Sequence, residues 1–158
     1  MARATEIQIV WFKRDLRVED HAALSAAAKR GPVLPVFIVE PELWQGPDYS
    51  ARHWAFVAEC LEALMVELSH LGQPLIVRVG DVVELFERAR KRFGSVRLWS
   101  HEETGNAWTY ARDLKVAAWC RQYAVEWHEL RQNGVIRRLK SRNGWAKSWD
   151  AFMAEPAS

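Results

Sequence analysis

The chain is 158 residues long, 49% apolar and 27% charged, with a formal net charge of +2. That length fits one domain with a sizeable core. The apolar fraction excludes a disordered chain, and the near-neutral balance excludes a uniformly basic nucleic-acid sheath.

The first predicted element is a strand, Ile7–Phe12, whose apolar content suits burial on both faces. It ends abruptly in a charged turn, Lys13–Glu19, after which Asp20 is placed to cap a helix over His21–Lys29. Gly31 and Pro32 stop that helix. Val33–Val39 reads as a second buried strand, and its Pro35 must sit at a bulge or at one end of the pairing because it has no N–H to donate. Pro41–Tyr49 reads as a loop punctuated by Pro41, Gly46 and Pro47. Ser50 then caps a long helix, Ala51–Leu71, with an expected inward stripe of Trp54, Val57, Ala58, Leu61, Leu64, Met65 and Leu68.

Leu75–Val79 is the third strand, and Asp81 with Glu84 forms a capping pair for a helix over Val82–Arg92, closed by Gly94. Val96–Ser100 is the fourth strand, and His101–Asn106 a polar loop. A helix over Ala107–Gln122 is expected to turn Ala107, Tyr110, Ala111, Leu114, Ala117 and Ala118 to one side. Ala124–Leu130 is the fifth strand. This alternation of strand and helix predicts an α/β fold, a doubly wound parallel sheet with helices on both faces, over residues 1–130. Residues 131–158 change character: Arg131, Arg137, Arg138, Lys140, Arg142 and Lys147 occur with no acid between Glu129 and Asp150, interleaved with Trp145, Trp149 and Phe152.

Several chemistries lack support. No glycine follows the first strand, and neither GxGxxG nor GxxxxGK[ST] occurs, which weighs against dinucleotide or P-loop binding. There is no Cys/His cluster at zinc spacing, and His101 beside Glu102 and Glu103 reads as a solvated or hydrogen-bonded loop rather than a metal site. No catalytic triad is legible, so no catalytic and no metal residue is assigned. No apolar run approaches membrane-spanning length, and MARATEIQIVWF lacks the apolar stretch and cleavage site of a secretory leader. Cys60 and Cys120, both on predicted helices, read as reduced core thiols in a cytoplasmic protein. The nine tryptophans are read as packing residues, with no electron-transfer role assigned to them.

Three stretches carry a resemblance. WFKRDLRVEDHAAL resembles the N-terminal signature of the DNA photolyase/cryptochrome family; WSHEETGNAWTYARD is similar to that family's fourth strand, loop and following helix; NGWAKSWDAFM is similar to the segment leading toward its flavin domain. The resemblance implies a Rossmann-like sheet of strand order 3-2-1-4-5. It implies a cleft in which Phe12, Phe37, Ile38, Glu40, Arg52, Glu102 and Glu103 approach one another, with Trp108 filling or stacking in it. Such a cleft, apolar with a few polar groups, suits a small molecule. In the family it holds an antenna chromophore: a deazaflavin, a flavin or a folate. Trp108-Thr109 stands where folate binders carry Asn-Glu, which disfavours folate. The resemblance also implies a larger protein whose helical domain binds FAD and splits pyrimidine dimers in DNA with blue light. That domain lies outside this chain, which alone is not expected to be catalytic.

Two features keep alternative readings. Lys13, Arg14, Asp15 and Arg17 either brace the strand end, with Asp15 accepting from basic neighbours on both sides, or face a ligand or another domain. The basic tail, with Arg137, Arg138, Lys140 and Trp145, is either a solvated or disordered end, a weak phosphate-docking strip, or a surface for the helical domain. The functional alternatives to a repair protein's antenna domain are a cryptochrome-like light-signalling module and a stand-alone nucleotide-binding α/β protein.

Overall fold

The computed structural model describes residues 5–158; residues 1–4, which the reading of a leader-free amino terminus includes, lie outside the described residues. Five strands form one parallel sheet in the order β3-β2-β1-β4-β5, as the resemblance implied. They are β1 (Ile7–Phe12), β2 (Val33–Val39), β3 (Ile76–Val79), β4 (Val96–His101) and β5 (Trp127–Leu130). β1 lies at the centre, pairing with β2 through Val10↔Pro35 and with β4 through Val10↔Trp99. Its burial on both faces explains why it is apolar except at Gln8, whose side-chain oxygen accepts from Trp99 Nε1 (2.8 Å). Ile9 and Trp11 enter one core and Val10 and Phe12 the other, all at 1% exposure or less. Pro35 stands mid-ladder against β1, opposite Val10, and is at an end of the pairing only toward β3, whose ladder begins at Val36↔Ile76.

The helices are α1 (Ala22–Ala28), α2 (Pro41–Trp44), α3 (Ala51–His70), α4 (Val82–Phe93), α5 (Ala107–Gln122) and α6 (Trp145–Met153). Leu61, Leu64 and Leu68 of α3 join Ala23 and Ala27 of α1 in one core; Val82 and Phe86 of α4 join Val116 and Trp119 of α5 in the other. Ser50, Asp81 and Asn106 cap α3, α4 and α5 by accepting from backbone N–H groups of the first turn.

Four expectations are corrected. The cap of α1 is His21, whose Nδ1 accepts from the Leu24 N–H, while Asp20 stands one residue outside at φ +47°. Trp54 and Met65 are not in the α3 stripe; each is exposed, and the inward row is narrower. The buried side of α5 is Thr109, Arg112, Asp113, Val116, Trp119 and Cys120, opposite to the side expected, because its amino-terminal half buries ions rather than apolar groups. The 41–49 segment contains α2, begun by Pro41 at the first helical position, where its missing N–H costs nothing.

The tail is not a structureless end. Trp149 packs on Gly134, the Arg131 guanidinium lies 4.6 Å from the Phe152 ring, and Arg137 bonds back to the sheet end. No helix among the described residues is long and apolar enough to cross a membrane.

Candidate pigment-binding cleft

A cleft of about 730 Å³ opens over the carboxyl ends of β1 and β2. Phe12, Phe37 and Ile38 form its floor, α2 and its loop contribute Leu43, Trp44 and Tyr49, and α3 contributes Arg52, Phe56, Val57 and Cys60. Glu40, Glu103 and Arg112 close one end, and Arg14 and Arg17 border the charged turn. Of the eight residues expected in this site, the cleft therefore brings together Phe12, Phe37, Ile38, Glu40, Arg52 and Glu103. Glu102 does not join them: neighbours on an extended chain point to opposite sides. Its carboxylate instead meets Arg137 (3.3 Å) in a second cavity beside β5. Trp108 is absent from the lining and stands half-buried beside the Arg112 guanidinium, 5.8 Å from its ring.

Arg112, missed by periodicity because a charged residue was not expected on a buried face, organises the closed end. Its guanidinium donates to Glu40 (2.8 Å) and Glu103, and lies 3.0 Å from Asp113. Asp113 pairs in turn with Lys13 (3.3 Å), which lies 4.0 Å from Glu129; Glu129 meets Arg137 at 2.9 Å. Thus, among the described residues, Glu40, Glu103, Asp113, Glu129 and Glu102 share three cations, Arg112, Lys13 and Arg137. The excess of negative charge falls on the buried Glu40. Burial raises its pKa to about 7, with Glu103 and Asp113 adding to the rise and Arg112 opposing it. Burial acts to lower the Arg112 pKa, but its three carboxylates outweigh that and raise it. For Lys13 burial wins and lowers the pKa against the pull of Asp113. Trp11 lies between the two cations, 4.3 Å from Lys13 Nζ and 4.7 Å from the Arg112 guanidinium.

The rest of the charged turn divides. Arg14 is exposed, and Arg17 donates to the carbonyls of Glu19 and Asp20 (both 3.1 Å). Asp15 is buried, and its carboxylate does not accept from the Arg14 or Arg17 side chains as expected; only its carbonyl meets Arg17, accepting from the backbone N–H (2.8 Å). Its Oδ1 accepts from the Lys13 N–H (2.9 Å), and its Oδ2 lies 2.7 Å from His101 Nδ1 and 2.8 Å from His21 Nε2. Burial works to raise its pKa, but the His101 and His21 bonds outweigh that and hold it far below the usual carboxylate range. The three side chains place possible metal-ligand atoms within 4.8 Å of one another. The hydrogen bonds argue for another role. The Leu24 N–H engages the Nδ1 lone pair of His21, so the ring proton sits on Nε2, which then has no lone pair for a metal. The cluster instead fixes the turn after β1.

In the tail, Arg137 is paired, Arg138 donates to the Tyr110 hydroxyl (3.1 Å), and Lys140 and Trp145 are exposed. Trp145 borders a shallow apolar groove with Val135, Ile136 and Leu139.

With this geometry in place, residues 8–150 match the family model described as DNA photolyase. The chain belongs to the DNA photolyase family. The part matched is the family's N-terminal α/β domain. Cryptochrome DASH of Oryza sativa subsp. japonica is 31% identical over 87% of this chain and 24% of its own length. The deoxyribodipyrimidine photo-lyase of Salmonella typhimurium is 41% identical over 43% of this chain and 15% of its own length. Among solved structures, a class III photolyase from Agrobacterium tumefaciens superposes with a TM-score of 0.75 at 28% identity, covering 91% of this chain and 30% of that one. An archaeal photolyase from Sulfolobus tokodaii shares the fold, with a TM-score of 0.75 at 23% identity over 96% of this chain and 36% of that one; its structure is described as holding two FAD molecules, with the implication of a novel light-harvesting cofactor. The chain therefore spans a quarter or less of these curated relatives and about a third of these structures.

Proposed function

We propose that this domain holds a light-harvesting pigment in the cleft above β1 and β2, within a cytoplasmic photolyase-type flavoprotein whose helical domain binds FAD and repairs pyrimidine dimers in DNA. The observation that carries the reading is the cleft itself. Its volume lies within the roughly 300–1,000 Å³ of small-molecule sites, it is walled by aromatic and aliphatic side chains, and it ends in a fixed polar group. A planar deazaflavin, flavin or folate ring suits such walls. Phe12, Phe37, Trp44 and Tyr49 offer faces to stack on, while Glu40, Glu103 and Arg112 offer acceptors and a donor to a heteroatom edge. The bound pigment supplies absorption of blue light; the chain's own residues bind it, orient it and keep water from its ring.

The same reading assigns α6 and the tail to contact with the helical domain, supported by the exposure of Trp145, Trp149 and Met153. Three of the six tail cations are already engaged within the chain, Arg131 on Phe152, Arg137 on carboxylates and Arg138 on Tyr110. That supports weak DNA binding by this chain alone, with DNA reached through the whole protein. The test is an absorbance and fluorescence titration of the purified chain with flavin, deazaflavin and methenyl-folate. A red-shifted, saturable spectrum for one of them is expected. Absence of binding by all three would remove the antenna role.

A further inference from the structure

The face of the sheet that carries α4 and α5 is not fully covered. α4 returns from β3, at one edge, toward β4, and packs against α5 and β4. That leaves a groove of about 400 Å³ between α4 and the β2–β3 end of the sheet. Leu34, Val36 and Ile38, two apart on β2, form its floor with Ile76 of β3. Leu85 and Ala89, one turn apart on α4, form its wall. Leu34, Ile76, Leu85 and Ala89 are only partly buried, so aliphatic surface of the sheet and helix still meets water here. Both banks of the groove are basic. Arg78 stands on the β3 bank, and Arg88 and Arg92 stand one turn apart on the α4 bank. All three are exposed, and none is in an ion pair among the described residues. The acids of α4 do not answer them. Glu87 is taken by Arg90 (2.8 Å) and Lys91 (3.6 Å), Asp81 caps the helix, and no acidic side chain among the described residues lines the groove. Mixed charges would serve solubility; charge of one sign on both banks selects what can lie between them.

We propose that this groove docks an amphipathic helix of a partner protein, with a narrow apolar stripe toward the sheet and Asp or Glu on both sides of that stripe. The open surface has the form of a missing third helix on this face, with an aliphatic floor and a helix along one side. Side chains at i, i+3, i+4 and i+7 of the partner helix fill the floor, and its flanking carboxylates reach Arg78 on one bank and Arg88 and Arg92 on the other. A helix with the same stripe but basic flanks would bury the same apolar area and set like charges against three guanidinium groups. The groove is independent of the antenna reading, because α3, the helical wall of the pigment cleft, packs on the other face of the sheet.

The experiment measures, by fluorescence anisotropy, the binding of three labelled helical peptides to the 158-residue chain. One carries a leucine stripe flanked by glutamates, one the same stripe flanked by lysines, and one the glutamates with serines in place of the leucines. The native sequence is compared with the triple variant Arg78→Gln, Arg88→Gln, Arg92→Gln and with the charge reversal Arg88→Glu, Arg92→Glu. The three arginines are exposed, and circular dichroism of each variant checks that it is folded. The leucine–glutamate peptide is expected to bind at least about ten-fold tighter than the leucine–lysine peptide, from three attractions replacing three repulsions. That ratio falls with salt, approaches one in the triple variant and inverts in the charge reversal. Equal binding of the two leucine peptides, or a preference that survives in the triple variant, overturns the proposal. Serine–glutamate binding as tight as leucine–glutamate binding also overturns it, since the attraction then needs no apolar groove. Sedimentation velocity completes the test: self-association of the native chain that the triple variant abolishes would make a second copy the occupant and overturn the assignment to a partner protein.

Discussion

Replacing Glu40 with Gln isolates the charge excess at the closed end of the cleft. Glutamine has the shape of the protonated acid and can still accept from Arg112, but it carries no charge at any pH. In the folded protein the Glu40 carboxyl holds its proton up to about 7, against 4.5 for the free group. Because the folded pKa is the higher one, the unfolded chain releases this proton first. Between these two values stability falls as pH rises, and above the folded value the loss is complete. At about 1.4 kcal/mol per pH unit, the full cost of ionising Glu40 is on the order of 3 kcal/mol. The assay is urea denaturation followed by circular dichroism, with native protein and Glu40→Gln compared from about pH 5 to about pH 8. The two should agree near the acid end, and the variant should become the more stable by up to that amount at the alkaline end. Subtracting the two curves removes every other titrating group. If they run parallel across the range, Glu40 is not the group that carries the excess, and the account of the ion cluster fails.

Asp15→Asn should cost about 1–3 kcal/mol at neutral pH by urea denaturation, because one amide oxygen cannot serve both buried imidazole N–H groups of His21 and His101 and its NH2 brings a donor where an acceptor stood. The Asp15 contribution is present above the unfolded value of 3.8 and lost as pH falls below it, so the variant should also show a flatter acid limb; an unchanged limb would refute the role given to this carboxylate. Gly134→Ala should undock α6, since the added methyl carbon would stand 1.8 Å from Trp149, at a cost of about 1–3 kcal/mol; faster proteolysis within residues 131–158 is the readout, and native resistance would count against the packing. The Cys120 thiol, pushed up to about 12 by burial, should resist maleimide in the folded protein at about pH 8, whereas Cys60, half-buried in the cleft wall, should react and be shielded by a bound pigment. Equal labelling of the two, or no shielding, would contradict the placement of Cys60.

Most of the scaffold was legible because its signals are local. Glycine and proline punctuate the strands, β1 and β2 are apolar on both faces, and Ser50 and Asp81 cap where they stand in sequence. Strand order came from the family signature, since parallel pairing over long crossovers leaves no local mark. The errors lie where tertiary contacts override local preference. Asp20 has the chemistry of a cap, but His21 takes that position because its other ring nitrogen is drawn to Asp15. Trp54 has the spacing of a core residue, but it meets Trp44 edge-on at 4.9 Å near the mouth of the cleft. The short helix begun by Pro41 leaves no mark in the sequence, because four residues are too few for periodicity.

The candidate site was harder to read for a reason that also says what its charges do. Periodicity finds a helix face by its apolar residues. The amino-terminal half of α5 buries Thr109, Arg112 and Asp113, so its apolar pattern points to the opposite side, where Tyr110 and Leu114 are exposed. Burying so many ions is a poor route to stability, since desolvation consumes most of the Coulombic return and an apolar replacement often does as well. What the cluster supplies is fixed geometry. Arg112 cannot turn without abandoning Glu40, Glu103 and Asp113 together, and Lys13 ties the same group to the end of β1. From Glu40 in the cleft the pairs continue through Lys13 and Glu129 to Arg137 in the tail. The floor of the cleft and the segment leading away from the sheet are thus held by one continuous set of charges. A pigment that draws on Glu40 for a hydrogen bond therefore meets a group whose position is set from both ends, which is the rigidity a light-harvesting ring needs if it is to keep one orientation.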